Sequence, residues 1–360
     1  MEESLFIQFV NKYFKPLVAK VTEKINGSKL APTYFYKTML RKEFSPTLKW
    51  SSINVDGSNV AADVVAMDSS LPLKKRDSLS KADGDIPKLG MKLSLNERTM
   101  TDLDILVRTG GQESQIAQKL FADTAKCITG VWEVLELMFL QALSTGITLI
   151  DDPNNVGTGI RVNYGYKTAN KFGVSITWAT GSTAKPITDI ERVLEAARVN
   201  GDVITILMMD RFAFNNMRKT DEVKQLFAAG LGFSGASIPV PTLDQLNNSL
   251  NGNYGLTVVV VDRSIRTQKN GVNTTVKPWA EGAICFLTTL EVGTLTWGTL
   301  AEINHQSKGV TYETADEFIL VSKYHKTDPL QEFTSSQALA LPVINNVDAI
   351  YLLDTKTVQA

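Results

Sequence analysis

SQIAQKLFADTAKCITGVWEVLELMFLQALST, residues 114–145, is the most regular stretch of the sequence. Its apolar residues recur at spacings of three and four and share one stripe: Ile116, Leu120, Phe121, Ile128, Trp132, Leu135, Phe139 and Leu143. The charged residues lie largely on the opposite face: Lys119, Asp123, Lys126 and Glu133. Gly146 follows and is typical of a helix end. We therefore predict one continuous helix of roughly thirty residues, about 45 Å long, that acts as a spine.

Bulk composition indicates a folded protein without a strong attraction to nucleic acid. Of the 360 residues, 43% are hydrophobic, which is enough for a sizeable core. The 37 Lys and Arg against 38 Asp and Glu give a net charge of -1, which argues against a phosphate-binding surface. Cys127 and Cys285 both lie in apolar segments and favour buried thiols over a disulfide. We expect no secretion signal and no membrane span, since Glu133 and Glu136 interrupt the best apolar run.

The N-terminal segment predicts an amphipathic helix that ends at Asn26-Gly27. Its apolar face repeats at spacings of three and four: Leu5, Phe6, Phe9, Val10, Tyr13, Phe14, Leu17, Val18 and Val21. Such a face has to be buried against another surface.

Residues 50–100 are polar and poor in large apolar side chains. Asp56-Gly57 and Asp83-Gly84 supply turn signals, and residues 60–65 and 91–95 alternate like short strands. The segment cannot bury enough apolar area to offset its own ordering entropy. We expect it to be disordered or to be ordered by neighbouring chains.

The second half of the chain predicts an α/β lobe followed by returning strands. Strands are expected at 147–150, 160–166 and 174–178, and buried strands at 203–208, 256–261 and 283–289. Thr188 with Glu191 and Thr242 with Gln245 match capping boxes, and further helices are expected from Phe212 and over 222–229. Two last strands, 310–324 and 347–353, are expected to be joined by a loop containing Asp328-Pro329.

Motifs for chemistry are sparse, and we predict no catalytic, cofactor-binding or metal-binding residues and no enzyme activity. His305 and His325 have no ligand-spaced cysteine or carboxylate beside them, and Asp151-Asp152 reads as a solvent-exposed turn. The glycine pairs at 157–159 and 230–232 lack the full nucleotide-binding patterns. An α/β enzyme with its site at the ends of strands 203–208 and 256–261 stays open as an alternative.

The late sequence carries a family resemblance. Residues 278–287 (PWAEGAICFL) and 293–298 (GTLTWG) look like the late segment of lambda-type major head proteins of tailed bacteriophages. Asp328-Pro329, Gln337-Ala338 and residues 341–344 (LPVI) are similar to that family's C-terminal ending. The order of arm, polar hairpin, long helix, α/β lobe and returning strands resembles the Hong Kong 97 fold of tailed-phage capsid proteins.

That resemblance implies an α+β fold with five parts. They are an N-terminal arm and helix (1–42), an extended E-loop β-hairpin (43–110), a peripheral domain with the spine helix and a β-sheet (111–186), an α/β axial domain (187–300), and returning strands with the C-terminal segment (301–360). The implied protein is a major capsid protein of the virion, assembled in the bacterial cytoplasm into pentamers and hexamers of an icosahedral head around double-stranded DNA.

The resemblance also implies contacts and partners. We expect the E-loop to lie across the next subunit, with Trp50 as an apolar anchor, and candidate intersubunit ion pairs from Lys74, Lys75, Arg76, Lys81, Asp83, Asp85 and Arg98. Phe6, Phe9 and Phe14 are expected to bury on a neighbour or a scaffold. The sequence lacks the long charged N-terminal scaffold of some members, so a separate scaffolding protein or a processed N-terminus is expected. A portal and a decoration protein are further expected partners. No association with a membrane is expected. An encapsulin-like nanocompartment shell, which shares the fold, stays open as an alternative.

Overall fold

The computed structural model describes residues 2–27, 34–54, 80–150, 159–231 and 238–359. The predicted strand at 60–65, the Lys74-Lys75-Arg76 cluster and the Asp151-Asp152 turn lie outside these ranges. The described chain has two hydrophobic cores, a larger one around the spine helix and a smaller one in the α/β lobe.

The described residues form ten α-helices, and the two shortest are single turns. They are α1 (Ile7–Gly27), α2 (Phe35–Met39), α3 (Glu97–Arg108), α4 (Glu113–Leu120), α5 (Ala122–Thr145), α6 (Pro186–Val199), α7 (Arg211–Met217), α8 (Asp221–Leu231), α9 (Leu243–Tyr254) and α10 (Ala301–Asn304). The predicted N-terminal helix is thus confirmed as α1.

Seventeen strands lie in the same ranges, and most pair with partners distant in sequence. They are β1 (Leu40–Phe44), β2 (Lys49–Asn54), β3 (Ser80–Asp85), β4 (Lys88–Leu95), β5 (Ile147–Ile150), β6 (Ile160–Asn163), β7 (Lys171–Val174), β8 (Ile206–Asp210), β9 (Thr257–Val261), β10 (Ile265–Lys269), β11 (Val272–Val276), β12 (Ala283–Leu287), β13 (Gly293–Gly298), β14 (Thr311–Ala315), β15 (Ile319–Thr327), β16 (Leu330–Ile344) and β17 (Tyr351–Val358).

The spine is confirmed in place but not as one continuous helix. It consists of α4 and α5, which are separated at Phe121, where φ is -108° and ψ is 9°. Its end is as predicted, because Gly146 adopts the left-handed conformation with φ of 79°. By length and composition residues 113–145 could cross a membrane, yet 72% of the apolar window is buried within the protein. The spine is therefore explained as the core helix of the larger core.

A six-stranded sheet packs on the spine. Its order is β1-β13-β16-β15-β14, and β4 pairs with the first half of β16 on the side where β13 pairs with the second half. The predicted loop containing Asp328-Pro329 is therefore only a tight turn, and its expected extension towards residue 347 was wrong, since residues 330–344 form the central strand. Small polar side chains occupy residues 334–336 of this strand, and the hydroxyl of Ser335 lies 2.7 Å from that of Ser322 on β15.

The α/β lobe is built on a second sheet with the order β7-β17-β12-β8-β9. The capping box at Thr242 and Gln245 is confirmed, whereas the one at Thr188 is wrong because α6 already begins at Pro186. Instead, Glu222 of α8 accepts the Ile187 amide at 2.7 Å and caps α6 from outside. Since β17 comes from the C-terminal segment, this sheet joins two distant parts of the chain.

Candidate intersubunit surfaces

The base of the predicted E-loop is the β2–β3 hairpin, which is fixed to its own subunit. Trp50 is only 5% exposed, opposes Gly84 in the antiparallel register, and packs on Tyr164 with ring centroids 5.9 Å apart. Ser52 donates a hydrogen bond to the carbonyl of Ile344 at 2.7 Å. The indole is thus occupied within its own chain, and the anchoring of a neighbour by Trp50 stays a prediction.

The charged candidates lie in different places. Asp83 and Asp85 are exposed on β3, and Lys81 lies on the same strand. Arg98 is exposed on α3, a separate element. The structure therefore places Asp83 and Asp85 together on one strand, apart from Arg98. Their ion pairs with a neighbouring subunit stay a prediction.

The aromatic face of α1 is buried within the subunit. Phe6 and Phe14 are buried, Phe9 is partly buried against the same core, and Phe14 lies 6.1 Å from the ring of Phe121. The helix packs on β14 and on α5. The subunit's own spine and sheet thus cover Phe6 and Phe14, and the burial of this face on a neighbour or a scaffold stays a prediction.

An open groove of about 390 Å³ lies between β4, the first half of α5 and β10. Its lining includes three exposed cationic side chains, Lys92, Lys126 and Arg266. The carboxylate in the lining, Glu133, is paired with Arg263 at 2.7 Å. The groove is therefore electropositive and has an apolar floor that includes Leu89, Val131, Val134, Leu137 and Ile265. The β10–β11 hairpin that forms one wall was not predicted from the sequence.

A buried carboxylate ties the arm to the spine. Glu136 is 0% exposed and accepts the amides of Phe35 and Tyr36 at 3.0 and 3.1 Å, at the start of α2. Burial raises the pKa of Glu136 to about 7, although the two backbone hydrogen bonds and nearby Arg263 act in the opposite direction. The sequence showed this residue only as an interruption of an apolar run.

Arg263 brings the α/β lobe to the same point. It follows β9, and its guanidinium pairs with Glu133 while lying 4.6 Å from the centre of the Tyr34 ring. The Tyr34 hydroxyl donates to Glu133 at 2.9 Å. Arm, spine and lobe thus meet at one cluster of two carboxylates and one guanidinium, which holds the relative positions of three parts of the subunit.

Residues that commonly carry chemistry are dispersed. Within the described ranges no group of three His, Cys, Asp or Glu is placed to hold a metal ion. Cys127 and Cys285 are buried free thiols, and burial raises the pKa of Cys127 to about 12. His325 lies against the N-terminal segment, with its Nε2 3.1 Å from the carboxylate of Glu2.

Comparison with known proteins bears on this arrangement. A model of the family described as phage major capsid protein E matches residues 18–354. A protein assigned as a prophage capsid protein of Escherichia coli CFT073 superposes with a TM-score of 0.57 at 12% identity, covering 94% of this chain and 98% of that chain. A phage-related protein of Bordetella bronchiseptica RB50 gives 0.52 at 12% identity, covering 94% and 96%. A search of curated proteins found no match.

Proposed function

Because the chain belongs to the phage major capsid protein E family, we propose that it self-assembles into the pentamers and hexamers of an icosahedral phage head enclosing double-stranded DNA. The family match over residues 18–354 is the observation that carries this function. The α+β capsid fold of the Hong Kong 97 type, expected from the sequence, is confirmed. The role is structural, and the same match favours a phage head over a nanocompartment.

Within this fold we assign residues 1–42 to the arm, 43–110 to the E-loop, 111–186 to the peripheral domain, 187–300 to the axial domain and 301–360 to the returning segment. The separate core of the α/β lobe supports an axial unit with its own stability. Three strands cross between these units, since β13 lies in the spine sheet, whereas β7 and β17 lie in the lobe sheet. Each of the two sheets thus contains strands from both parts of the chain. This arrangement links the lobe and the spine mechanically, as a subunit of a closed shell requires.

The electropositive groove is the surface we assign to the E-loop hairpin of a neighbouring copy. Asp83 and Asp85 are exposed on β3, whereas the groove presents Lys92 and Arg266 without an unpaired carboxylate in its lining. Opposite charges on the two surfaces favour one mutual orientation and disfavour like-with-like contacts. A hairpin from one copy in the groove of the next is a heterologous contact, which closes into rings when repeated.

Assembly also needs partners that the family role implies. We propose that a scaffolding protein and a portal act during assembly in the bacterial cytoplasm, with a decoration protein as a further partner. Packaged DNA would be enclosed without sequence-specific contacts, consistent with the net charge of -1.

Sedimentation velocity of the expressed full-length chain, with and without its scaffold, tests the proposal. Rings, tubes or shells far heavier than one 39.5 kDa subunit are expected. A chain that stays monomeric at every salt and protein concentration, with the scaffold present, contradicts the proposed function.

A further inference from the structure

The break in the spine has no local cause. The sequence predicts a continuous helix, and no glycine or proline lies between Glu113 and Thr129. Nevertheless α4 ends at Leu120 and α5 begins at Ala122. In helices without a helix-breaking residue, an interruption of this kind is explained by a side chain that inserts into the hydrogen-bond ladder.

Lys323 of β15 is that group. Its side chain is 0% exposed, and its ammonium donates to the carbonyl of Leu120 at 3.3 Å and to the hydroxyl of Thr334 at 3.2 Å. In a continuous helix the carbonyl of Leu120 would accept the amide of Thr124. That amide donates instead to Phe121 at 3.1 Å. Lys323 therefore replaces the Thr124 amide as the hydrogen-bond donor to the Leu120 carbonyl.

The buried ammonium is balanced by Glu332 of β16, which the N-terminal segment covers. The two charges are 3.8 Å apart, and both side chains are buried. The Ser4 hydroxyl donates to one oxygen of Glu332, and the Leu5 amide donates to the other at 3.4 Å. Glu2 and His325 exchange two backbone hydrogen bonds of 3.1 and 3.0 Å, which hold this segment in place.

These contacts form a continuous chain from the N-terminal segment to the helix break. A buried ion pair holds only while its polar groups are satisfied and water is excluded, because each separated charge is far more favourable in water. If residues 2–5 leave, Glu332 gains water, and Lys323 loses the environment that places it on Leu120. The carbonyl of Leu120 is then free to accept the Thr124 amide.

We propose that residues 2–5 are a latch that keeps the spine helix interrupted at Phe121: the docked segment closes the Lys323–Glu332 pair, and Lys323 holds α4 and α5 apart. Release of the segment allows the two helices to join into one. The device belongs to the subunit itself, so its test does not require assembly.

Hydrogen exchange of full-length variants tests the latch. Ala122 and Asp123 begin α5, so their amides lack acceptors within that helix, whereas a continuous helix supplies the carbonyls of Gln118 and Lys119. In Lys323→Met, exchange at these two amides is expected to slow by roughly tenfold or more. Simple destabilisation would accelerate it. Lys323→Met with Glu332→Met removes both charges and guards against misfolding of the single variant.

Deleting residues 2–5 is expected to slow the same two amides, because the latch acts through Glu332. Lys326→Met is the matched control, since Lys326 is an exposed lysine on the same strand, and it should change neither amide. Unchanged or faster exchange in both folded Lys323 variants overturns the role of Lys323. Slower exchange in those variants but not in the deletion overturns the coupling to the N-terminal segment.

Discussion

Trp50 lies across Gly84, its directly opposed partner in the β2–β3 hairpin, and a β-carbon at position 84 would be 2.9 Å from the indole Nε1. The rigid indole is itself held by Tyr164, so it has little room to move. The hairpin base is thus fixed on its own subunit by an aromatic side chain that only glycine can face.

Gly84→Ala should lower the free energy of unfolding by about 1–3 kcal/mol, because the added methyl group displaces Trp50. Chemical denaturation followed by tryptophan fluorescence measures the loss. Gly252→Ala in α9 is the matched control, since a β-carbon there has no neighbour within 4 Å, and it should stabilise the helix by about 0.5–1 kcal/mol. Equal effects of the two substitutions would show that Trp50 does not depend on Gly84.

Phe14→Ala should cost about 3–5 kcal/mol of unfolding free energy in the isolated subunit, because Phe14 fills the core beside Phe121. Urea denaturation at several protein concentrations measures it, and the loss should not vary with concentration. Leu5→Ala removes an exposed apolar side chain from the same segment and should change stability by less than about 0.5 kcal/mol. A Phe14→Ala effect that is seen only in assembled particles would instead support the predicted contact with a neighbour.

Glu136 should make stability fall as the pH rises from about 4.5 to about 7. Its folded-state pKa is above that of the unfolded chain, so the folded protein holds the proton more tightly. The associated stability is present below pH 4.5 and is lost as the pH passes 7, with an upper limit of about 3 kcal/mol. Urea midpoints from pH 5 to 8 measure this for the wild type and Glu136→Gln.

The Glu136→Gln variant should show a flatter profile than the wild type, because a neutral amide does not titrate. Glu133→Gln removes a charge that raises the pKa of Glu136, and Arg263 then has Glu136 as its remaining carboxylate partner. The pH at which stability is lost should therefore be lower in this variant. Identical profiles for all three proteins would mean that Glu136 keeps one protonation state throughout this range.

Charge reversal tests the groove that we assign to the E-loop. Asp83→Lys with Asp85→Lys should reduce assembly by at least tenfold in light scattering, because the hairpin then repels Lys92 and Arg266. Adding Lys92→Glu and Arg266→Glu to the same chain should restore it. A double variant that assembles as well as the wild type, or a quadruple variant that stays defective, would remove the groove as the docking surface.

The sequence predicted the spine, the arm helix and the α/β lobe because their apolar residues repeat with clear periods. The apolar residues from Ile116 to Leu143 and from Phe9 to Val21 each follow one face of a helix, and both stretches are helical in the structure apart from the break at Phe121. The break could not be predicted, since Lys323 is 203 residues from Leu120 in sequence and its effect depends on tertiary contact.

The longest strand was missed for a related reason. Residues 334–338 of β16 read Thr-Ser-Ser-Gln-Ala, which lacks the apolar alternation of a strand, yet Ser336 is buried and donates to the Cys127 carbonyl at 2.8 Å. Trp50, Phe6 and Phe14 were expected to contact neighbours because an exposed face and a buried one look alike in a sequence. The burial of each is decided by chain segments that no local pattern identifies.

Electron cryomicroscopy of the particles formed by the full-length chain, with its scaffold where needed, shows directly whether this subunit builds a shell. We expect closed shells with five-fold and six-fold clusters of this subunit, and density for a neighbour's hairpin in the groove between β4, α5 and β10. A chain that yields only discrete monomers, or shells in which that groove faces solvent, would contradict this expectation.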